Sequence, residues 1–261
     1  MTSTLITKLN SLKIDNSYSD EKKKAILLVT GGGSKFQNLS EEMRADRDVI
    51  LAAVKHYCKS LAWAPEYAKD DEEIVLASSA LYDFDNFEIA SDRLKTNKNF
   101  IVAAAEKDGN ILRYVDGYTR QDKYFMFPLI KNNIWAFRWA GDNLKADREC
   151  AVAAIRRYSG NLAYVSVDFR DDREIVKLAV SDNGWALHHA STRLKDDKDI
   201  VLEAVRSNGN GLVHASYRLR GDREVVYAAI NENVMAHQYV VGDLYWDQGV
   251  FDLAEGQDQK D

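Results

Sequence analysis

The sequence predicts an all-α fold, an α-solenoid of about nine 25-residue helix–turn–helix repeats with an N-terminal capping helix. A segment that begins at Asp172 recurs 25 residues later at Asp197 and again at Asp222. Within each copy, apolar residues recur at steps of three and four, which is the spacing of one helix face. Neither helix of a copy can bury that face alone, so the copies must stack into one continuous core.

The repeats divide the chain into three predicted regions. A capping helix occupies residues 1–20, the repeats occupy residues 21–246, and a partial repeat with a polar tail occupies residues 247–261. The apolar face of the capping helix consists of Leu5, Ile6, Leu9 and Leu12. The repeats begin near Glu21, Asp46, Asp71, Asn97, Asp122, Asp147, Asp172, Asp197 and Asp222.

Positions within a repeat are numbered from its first residue. Aspartate at position 1 is a good N-cap, because its carboxylate accepts hydrogen bonds from the exposed amides of the first turn. Apolar residues at positions 5, 8 and 9, which share one helix face with position 12, predict a first helix over about positions 2–12, and the small residue at position 8 permits close helix packing. Asn-Gly at positions 12 and 13 predicts a left-handed turn at its end. Apolar positions 16, 19 and 23 predict one shorter second helix.

Composition and charge limit the classes of protein. Apolar residues make up 46% of the chain and charged residues 29%, as in globular proteins. No apolar run is long enough to span a membrane, and no cleaved signal peptide is visible, so we expect a cytoplasmic protein without membrane insertion. The net charge of −6 disfavours general affinity for nucleic acid. Cys58 and Cys150 lie four repeats apart, which predicts free thiols and a reducing compartment.

No motif predicts catalysis, a cofactor or a metal site. The segment 29–35 contains three glycines but lacks the spacing of a phosphate-binding loop, and its glycines fall where other repeats turn. The five histidines lack metal-ligand spacing. His189 and His214 occupy the same position in adjacent repeats, which places them too far apart to share a metal ion. We therefore expect a protein that is not an enzyme, although a site assembled from distant repeats stays open.

Two series of side chains recur along the repeats. Position 18 carries an aromatic ring or a histidine in Trp63, Tyr114, Trp139, Tyr164, His189, His214 and Tyr239. These rings either pack between successive short helices or line a groove for a partner. Positions 2 and 24 are mostly basic and interleave with acids at positions 1 and 3, which predicts solvated ion pairs. If the basic side chains project away from the acids, they form a ridge that could follow a phosphate backbone.

The repeats between residues 63 and 139 depart from the pattern. Pro128 at position 7 predicts a kink or a delayed start of the first helix. Pro65 interrupts another repeat, and residues 83–87 include one extra residue. Such departures reflect either drift or function, and we interpret them as a partner-binding surface. Its candidate residues are Trp63, Phe84, Phe87, Tyr114, Tyr124, Phe127, Trp135 and Trp139.

The repeat resembles a known family. The pattern Asp-Arg-Glu-Val-Val-x-Ala-Ala-Val-x-x-Asn-Gly is similar to a tandem repeat known only as domain of unknown function 4116, and residues 172–196 and 197–221 match it best. The resemblance covers most of residues 46–246. Similar repeats occur in protists and in bacteria that live inside eukaryotic cells, including candidate secreted effectors. The resemblance implies no activity, cofactor or catalytic residue, and it suggests action in a host cytosol.

These observations lead to two alternative functions. The first is a non-enzymatic protein–protein interaction module, an effector or regulator of a host or bacterial protein, delivered without a cleaved signal peptide. Repeat proteins suit this function because each unit adds surface without altering its neighbour's core. The alternative is a helical-repeat protein that binds nucleic acid, which the net negative charge disfavours.

Overall fold

The predicted all-α class is confirmed. The computed structural model describes residues 15, 17–31, 33–78 and 87–257, and every regular element in these ranges is helical. Residues 1–14 of the predicted capping helix, with Leu5, Ile6, Leu9 and Leu12, lie outside the described residues, as does Phe84. The chain divides into two compact units, residues 1–119 and 120–261.

Unit one contains long and short α-helices separated by 3₁₀ segments. Its α-helices are α1 (Asp20–Thr30), α2 (Glu41–Arg44), α3 (Arg47–His56), α4 (Glu66–Lys69), α5 (Glu72–Ser78), α6 (Asp92–Thr96) and α7 (Lys98–Lys107). Its described 3₁₀ segments are Gly33–Asn38, Cys58–Trp63 and Gly109–Tyr114. The division between the two units falls within α8 (Gly117–Gln121).

Unit two repeats the same sequence of elements more regularly. Its α-helices are α9 (Lys123–Asn132), α10 (Ala136–Trp139), α11 (Asp142–Lys145), α12 (Arg148–Arg157), α13 (Val167–Arg170), α14 (Arg173–Asp182), α15 (Thr192–Lys195), α16 (Lys198–Ser207), α17 (Tyr217–Arg220), α18 (Arg223–Glu232) and α19 (Gln248–Gln257). Its 3₁₀ segments are Ser159–Ala163, Gly184–His189, Gly209–His214, Val234–Tyr239 and Gly242–Trp246.

The predicted single second helix is wrong, because a regular repeat has three helical segments. In the repeat that begins at Asp172, α14 is followed by a 3₁₀ segment at positions 13–18 and then by the short helix α15. The backbone is extended at Ala190 and Ser191, with ψ 158° at both residues. The Ser191 hydroxyl accepts a hydrogen bond from the Leu194 amide and so begins a new helix. Positions 16, 19 and 23 therefore share a buried face without sharing a helix.

The predicted N-caps are confirmed. Asp172 Oδ1 accepts hydrogen bonds from the amides of Glu174 at 2.9 Å and Ile175 at 3.1 Å. The same side-chain cap is made by Asp46, Asp71, Asn97, Asp122, Asp147, Asp197 and Asp222. Each cap stabilises its helix by about 1 kcal/mol, so the position-1 residue fixes where these eight long helices begin.

The predicted left-handed turn after the long helix is wrong. Asn183 has an extended backbone with φ −151°, and its side chain accepts a hydrogen bond from the Trp185 amide. Glycine follows because the next repeat lies very close. A Cβ atom added to Gly184 would lie 2.2 Å from the carbonyl oxygen of Ala204, and one added to Gly209 would lie 2.3 Å from that of Ala229. Glycine at position 13 therefore packs directly against position 8 of the following long helix.

The core of unit two runs along the stacked repeats. In the repeat at Asp172, Val176, Ala179 and Val180 of α14 are fully buried, as are Leu187 and Leu194 from the two segments that follow. Helix α14 packs against α16, α16 packs against α18, and the 3₁₀ segments of these repeats also stack on one another. The apolar positions read from the sequence are thus the residues that successive repeats share.

Pro128 does not delay its helix. Helix α9 begins after its Asp122 cap and is ten residues long, as are α12 and α14. Proline cannot donate to the carbonyl four residues earlier, which belongs to Tyr124. Both Pro128 and Tyr124 are exposed, so water can hydrogen-bond to that carbonyl and the helix continues.

Substitution of Gly184 tests the close approach between repeats. We expect Gly184→Ala to destabilise unit two by about 1–3 kcal/mol, because the new methyl group overlaps a backbone carbonyl that cannot rotate away. The measurement is urea unfolding followed by circular dichroism. Gly221→Ala is the matched control, because its Cβ atom would meet its nearest neighbour at 3.4 Å. Equal stability of the two variants would contradict the packing described.

Candidate interaction surfaces

The predicted aromatic residues of unit one divide between surface and core. Trp63 is 42% exposed at the end of its 3₁₀ segment. Phe87 is fully buried, with ring centroids 6.0 Å from Phe100 and 6.1 Å from Tyr114, so its assignment to a binding surface is wrong. Counted back by 25 residues from Leu112, Phe87 occupies the apolar position 16. The extra residue in this repeat concealed that register.

The predicted aromatic residues of unit two lie on two parts of the repeat. Tyr124 is 96% exposed on α9, and Phe127 is half-buried on the same helix. Trp135 is exposed and Trp139 is half-buried, and these two residues flank and end the short helix α10. The structure therefore places Tyr124 and Phe127 on a long helix, Trp135 just before α10, and Trp139 in the position-18 series.

A groove of about 720 Å³ lies between the long helices α9 and α12. Phe127, Val152 and Ala153 supply its apolar lining. Its charged lining consists of Lys131, Arg148, Glu149, Arg156 and Arg157. We call this feature the α9–α12 groove.

The charge in the α9–α12 groove is positive and largely uncompensated. Arg148 pairs with Asp172 at 2.6 Å, and Glu149 pairs with Lys123 at 2.9 Å. Lys131, Arg156 and Arg157 have no ion pair with any acid in the described part of the chain. The Lys131 ammonium lies 5.5 Å from the centroid of the Phe127 ring, so a cation flanks the largest apolar group of the groove.

Residues at position 18 form a half-buried row in unit two, joined by the residues at position 17. Arg138 lies over the rings of both Trp139, at 5.0 Å, and Tyr164, at 5.7 Å. His188 occupies the equivalent place in a later repeat. Its ring centroid is 4.8 Å from that of His189 and 4.7 Å from that of His214. The row therefore has one edge buried between repeats and another edge open to solvent.

Three histidines and a tryptophan form a cluster in this row. The Nδ1 atoms of His188 and His214 are 3.4 Å apart, and the Trp185 ring packs on His214 with centroids 4.9 Å apart. Burial, together with the positive charge of His188 and Lys195, lowers the pKa of His214 to about 4. Among the described residues, no three or more histidine, cysteine, aspartate or glutamate side chains are placed so that they could hold a metal ion together. The sequence analysis did not identify the contact of His188 with His214. The two residues are 26 positions apart, as are Arg138 and Tyr164, which are also in contact.

The predicted ion pairs are confirmed for position 2, and they join neighbouring repeats. Arg173 donates to Asp197 at 3.1 Å and to Asp199 at 2.6 Å, which are positions 1 and 3 of the next repeat. The same pairing joins Lys22, Arg47, Lys123, Arg148, Lys198 and Arg223 to the repeats that follow them. At position 22, Arg193 reaches back to Asp171 at 3.1 Å. Each exposed pair contributes less than about 1 kcal/mol, so the pairs fix register more than stability.

The remaining sequence features have structural roles. Cys58 and Cys150 are free and buried. Burial and the nearby Asp147 raise the pKa of the Cys150 thiol to about 12, which disfavours the reactive thiolate. The glycine-rich segment follows the helix α1 and leads into a 3₁₀ segment, whereas a phosphate-binding loop follows a strand. Among the described residues, no helix is both long and apolar enough to cross a membrane.

The fold and these surfaces define an all-α helical-repeat protein. The family model described as Domain of unknown function (DUF4116) matches residues 24–67, 122–170 and 172–220, which together make up more than half of the chain. The chain therefore belongs to this family. Searches of curated proteins and of solved structures gave no match.

The histidine cluster predicts a pH-dependent stability. A histidine in the unfolded chain gains its proton near pH 6.5, whereas folded His214 stays neutral down to about pH 4. Stability is therefore complete above pH 6.5 and falls as the pH decreases toward 4. We expect a loss on the order of 1 kcal/mol by about pH 5, with allowance for solvent screening.

Urea unfolding of the protein at several pH values measures this loss. His214→Asn removes the titrating group, so this variant should lose less stability than the parent between pH 6.5 and 5. His56→Asn, at the exposed end of α3, is the matched control and should follow the parent. The same pH dependence in the parent and in His214→Asn would rule out the assigned role of His214.

Proposed function

We propose that this protein is a non-enzymatic interaction module that binds an acidic, partly apolar segment of a protein partner in the α9–α12 groove. The observation that supports this proposal is the combination of an apolar lining with unpaired cations. Phe127, Val152 and Ala153 offer contact area, and Lys131, Arg156 and Arg157 surround it. Arginine and aromatic side chains are enriched at the energetically dominant positions of protein interfaces.

The size and charge of the groove favour an amphipathic segment of the partner. An apolar side chain of the partner would replace water on Phe127 and Val152, and burial of apolar surface is the main favourable term in protein association. Carboxylates on either side of that side chain would pair with Arg156 and Arg157. These pairs would increase specificity and the association rate more than the affinity itself.

The proposal extends to the role of the protein in a cell. We propose that it is a regulator or secreted effector that acts on a host or bacterial protein in a cytosol. The support for this role is that similar repeats occur in bacteria that live inside eukaryotic cells. The groove itself supports only the binding of a protein partner. Both cysteines are free thiols, which is compatible with a reducing compartment.

Nucleic-acid binding is the second candidate, and the unpaired cations of the groove are the observation that favours it. Phosphate contacts need cations, and three of them converge here. The apolar lining and the overall charge of −6 favour a protein ligand instead. A phosphate backbone gains little from Phe127, Val152 and Ala153, whereas an amphipathic helix or strand buries them.

Charge reversal in the groove tests the proposed function. The immobilised full chain is used to capture proteins from a eukaryotic lysate, and the bound proteins are identified by mass spectrometry. The best-captured partner is then purified and its affinity measured for each variant. We expect Arg156→Glu/Arg157→Glu and, separately, Phe127→Ala to weaken binding at least tenfold, which corresponds to about 1.4 kcal/mol.

The matched control is Lys177→Glu/Arg206→Glu, which changes the net charge by the same amount on other long helices. Both control residues are exposed, and Arg206 has the same position in its repeat as Arg156. The control should bind like the parent. Unchanged affinity of the groove variants would refute the protein-binding site, and retention of nucleic acid in place of a protein would favour the second candidate.

A further inference from the structure

A second set of basic side chains in unit two forms a row of its own. The residue at position 24 ends the short helices α11, α13, α15 and α17 in four successive repeats, as Lys145, Arg170, Lys195 and Arg220. Backbone hydrogen bonds hold these helix ends in register. The carbonyl oxygens of the first three residues accept from the amides of the following repeat, at 3.0 Å, 2.8 Å and 2.8 Å. We call this feature the position-24 row.

Three of the four cations in the position-24 row lack an acid partner among the described residues. Arg170, Lys195 and Arg220 make no ion pair with an acid of the described chain, whereas positions 2 and 22 do. The Nε atoms of Arg170 and Arg220 are buried without a hydrogen-bond partner among these residues. Burial alone lowers the pKa of Lys195, so no carboxylate offsets its desolvation. Lys145 is 3.8 Å from the fully exposed Asp142.

The row lies beside the half-buried rings of position 18. Burial lowers the pKa of His189, and the neighbouring His188, Lys195 and Arg170 lower it further. Lys195 is also among the groups that add to the effect of burial on the pKa of His214. A pocket of about 680 Å³ opens beside Arg170 and is lined by His189 and Thr192 among others. Two acids also line this pocket. Asp171 is held by Ser191 and Arg193, and Asp168 is exposed.

The spacing of the row limits the shape of a matching ligand. Packed helices lie about 8–10 Å apart, so cations of successive repeats should recur at about that distance. A polyproline II segment has three residues per turn and rises 3.1 Å per residue, so every third side chain recurs on the same side after about 9 Å. Aromatic grooves are the usual receptors for such segments.

We propose that the position-24 row and the adjacent position-18 rings bind an extended acidic peptide in which carboxylates recur at every third residue. Each carboxylate would pair with one cation of the row. The rings of Tyr164, His189, His214 and Tyr239 would contact the residues between them. This inference rests on the proposed function only in treating the protein as a binding module, because it uses a different surface.

The probe is a fluorescent peptide of four Glu-Pro-Pro triplets, measured by anisotropy with the full chain. The matched control peptide has the same composition, but its four glutamates are contiguous. We expect the regular peptide to bind at least tenfold more tightly than the contiguous one. We also expect Arg170→Gln/Lys195→Gln to weaken binding at least tenfold and to reduce its salt dependence, because two ionic contacts are lost.

Two control variants separate this proposal from the groove. Lys177→Gln/Arg206→Gln, with equal charge loss on exposed long-helix faces, should bind the regular peptide like the parent. Arg156→Glu/Arg157→Glu should also leave peptide binding unchanged, so failure of one site is distinguishable from failure of the other. Circular dichroism reports whether each variant is folded.

A measurement on the parent protein avoids any dependence on variants. Reductive methylation with ¹³C-labelled formaldehyde makes the Lys195 ammonium visible by nuclear magnetic resonance, and a bound carboxylate should raise its pKa. Equal affinity for the two peptides, undiminished binding by Arg170→Gln/Lys195→Gln, or no change at Lys195 would overturn the proposal. Displacement of the regular peptide by an oligothymidylate more readily than by the contiguous peptide would assign the row to nucleic acid.

Discussion

Within unit two, each long helix buries one apolar stripe against the long helix of the next repeat, and the other features of this unit depend on that shared burial. A ten-residue helix is too short to be stable by itself in water. Position-1 caps such as Asp172 and Asp197 fix where their long helices begin, and the position-2 ion pairs join adjacent repeats. These contacts specify register, whereas residues such as Val176 and Val201, both fully buried, supply most of the free energy. The remaining helix faces are free to vary, and the candidate surfaces lie there.

The overall charge is a poor guide to the charge of those surfaces. Acids outnumber bases in the chain, yet many acids cap helices or pair with cations of the neighbouring repeat. Among the described residues of unit two, three cations of the α9–α12 groove and three of the position-24 row make no ion pair with an acid. Uncompensated charge next to apolar or aromatic groups is typical of a binding surface, because a ligand can complete both contacts at once.

The sequence predicted what depends on periodicity and missed what depends on contacts between repeats. The caps, the buried positions and the all-α class follow from local rules, and the structure agrees with them. The prediction of a single second helix was wrong. The apolar stripe continues from a 3₁₀ segment into a short α-helix, and Ser191 begins that new helix. The left-handed turn predicted at Asn183 was wrong. Glycine is needed at Gly184 because the Ala204 carbonyl lies too close for a side chain, and the backbone there is not left-handed. The locations of Phe87 and His188 depend on how neighbouring repeats align. The inserted residue concealed the alignment of Phe87, and His188 contacts a residue one position further along in the next repeat.

Hydrogen exchange of the middle repeat tests most directly whether the repeats share one core. Val201, at position 5 of its repeat, is fully buried in α16, and α16 packs against both α14 and α18. If successive repeats share their burial, Val201→Ala should accelerate amide exchange in α14 and α18 as well as in α16, as measured by mass spectrometry. Faster exchange confined to α16, with α14 and α18 unchanged, would contradict the account.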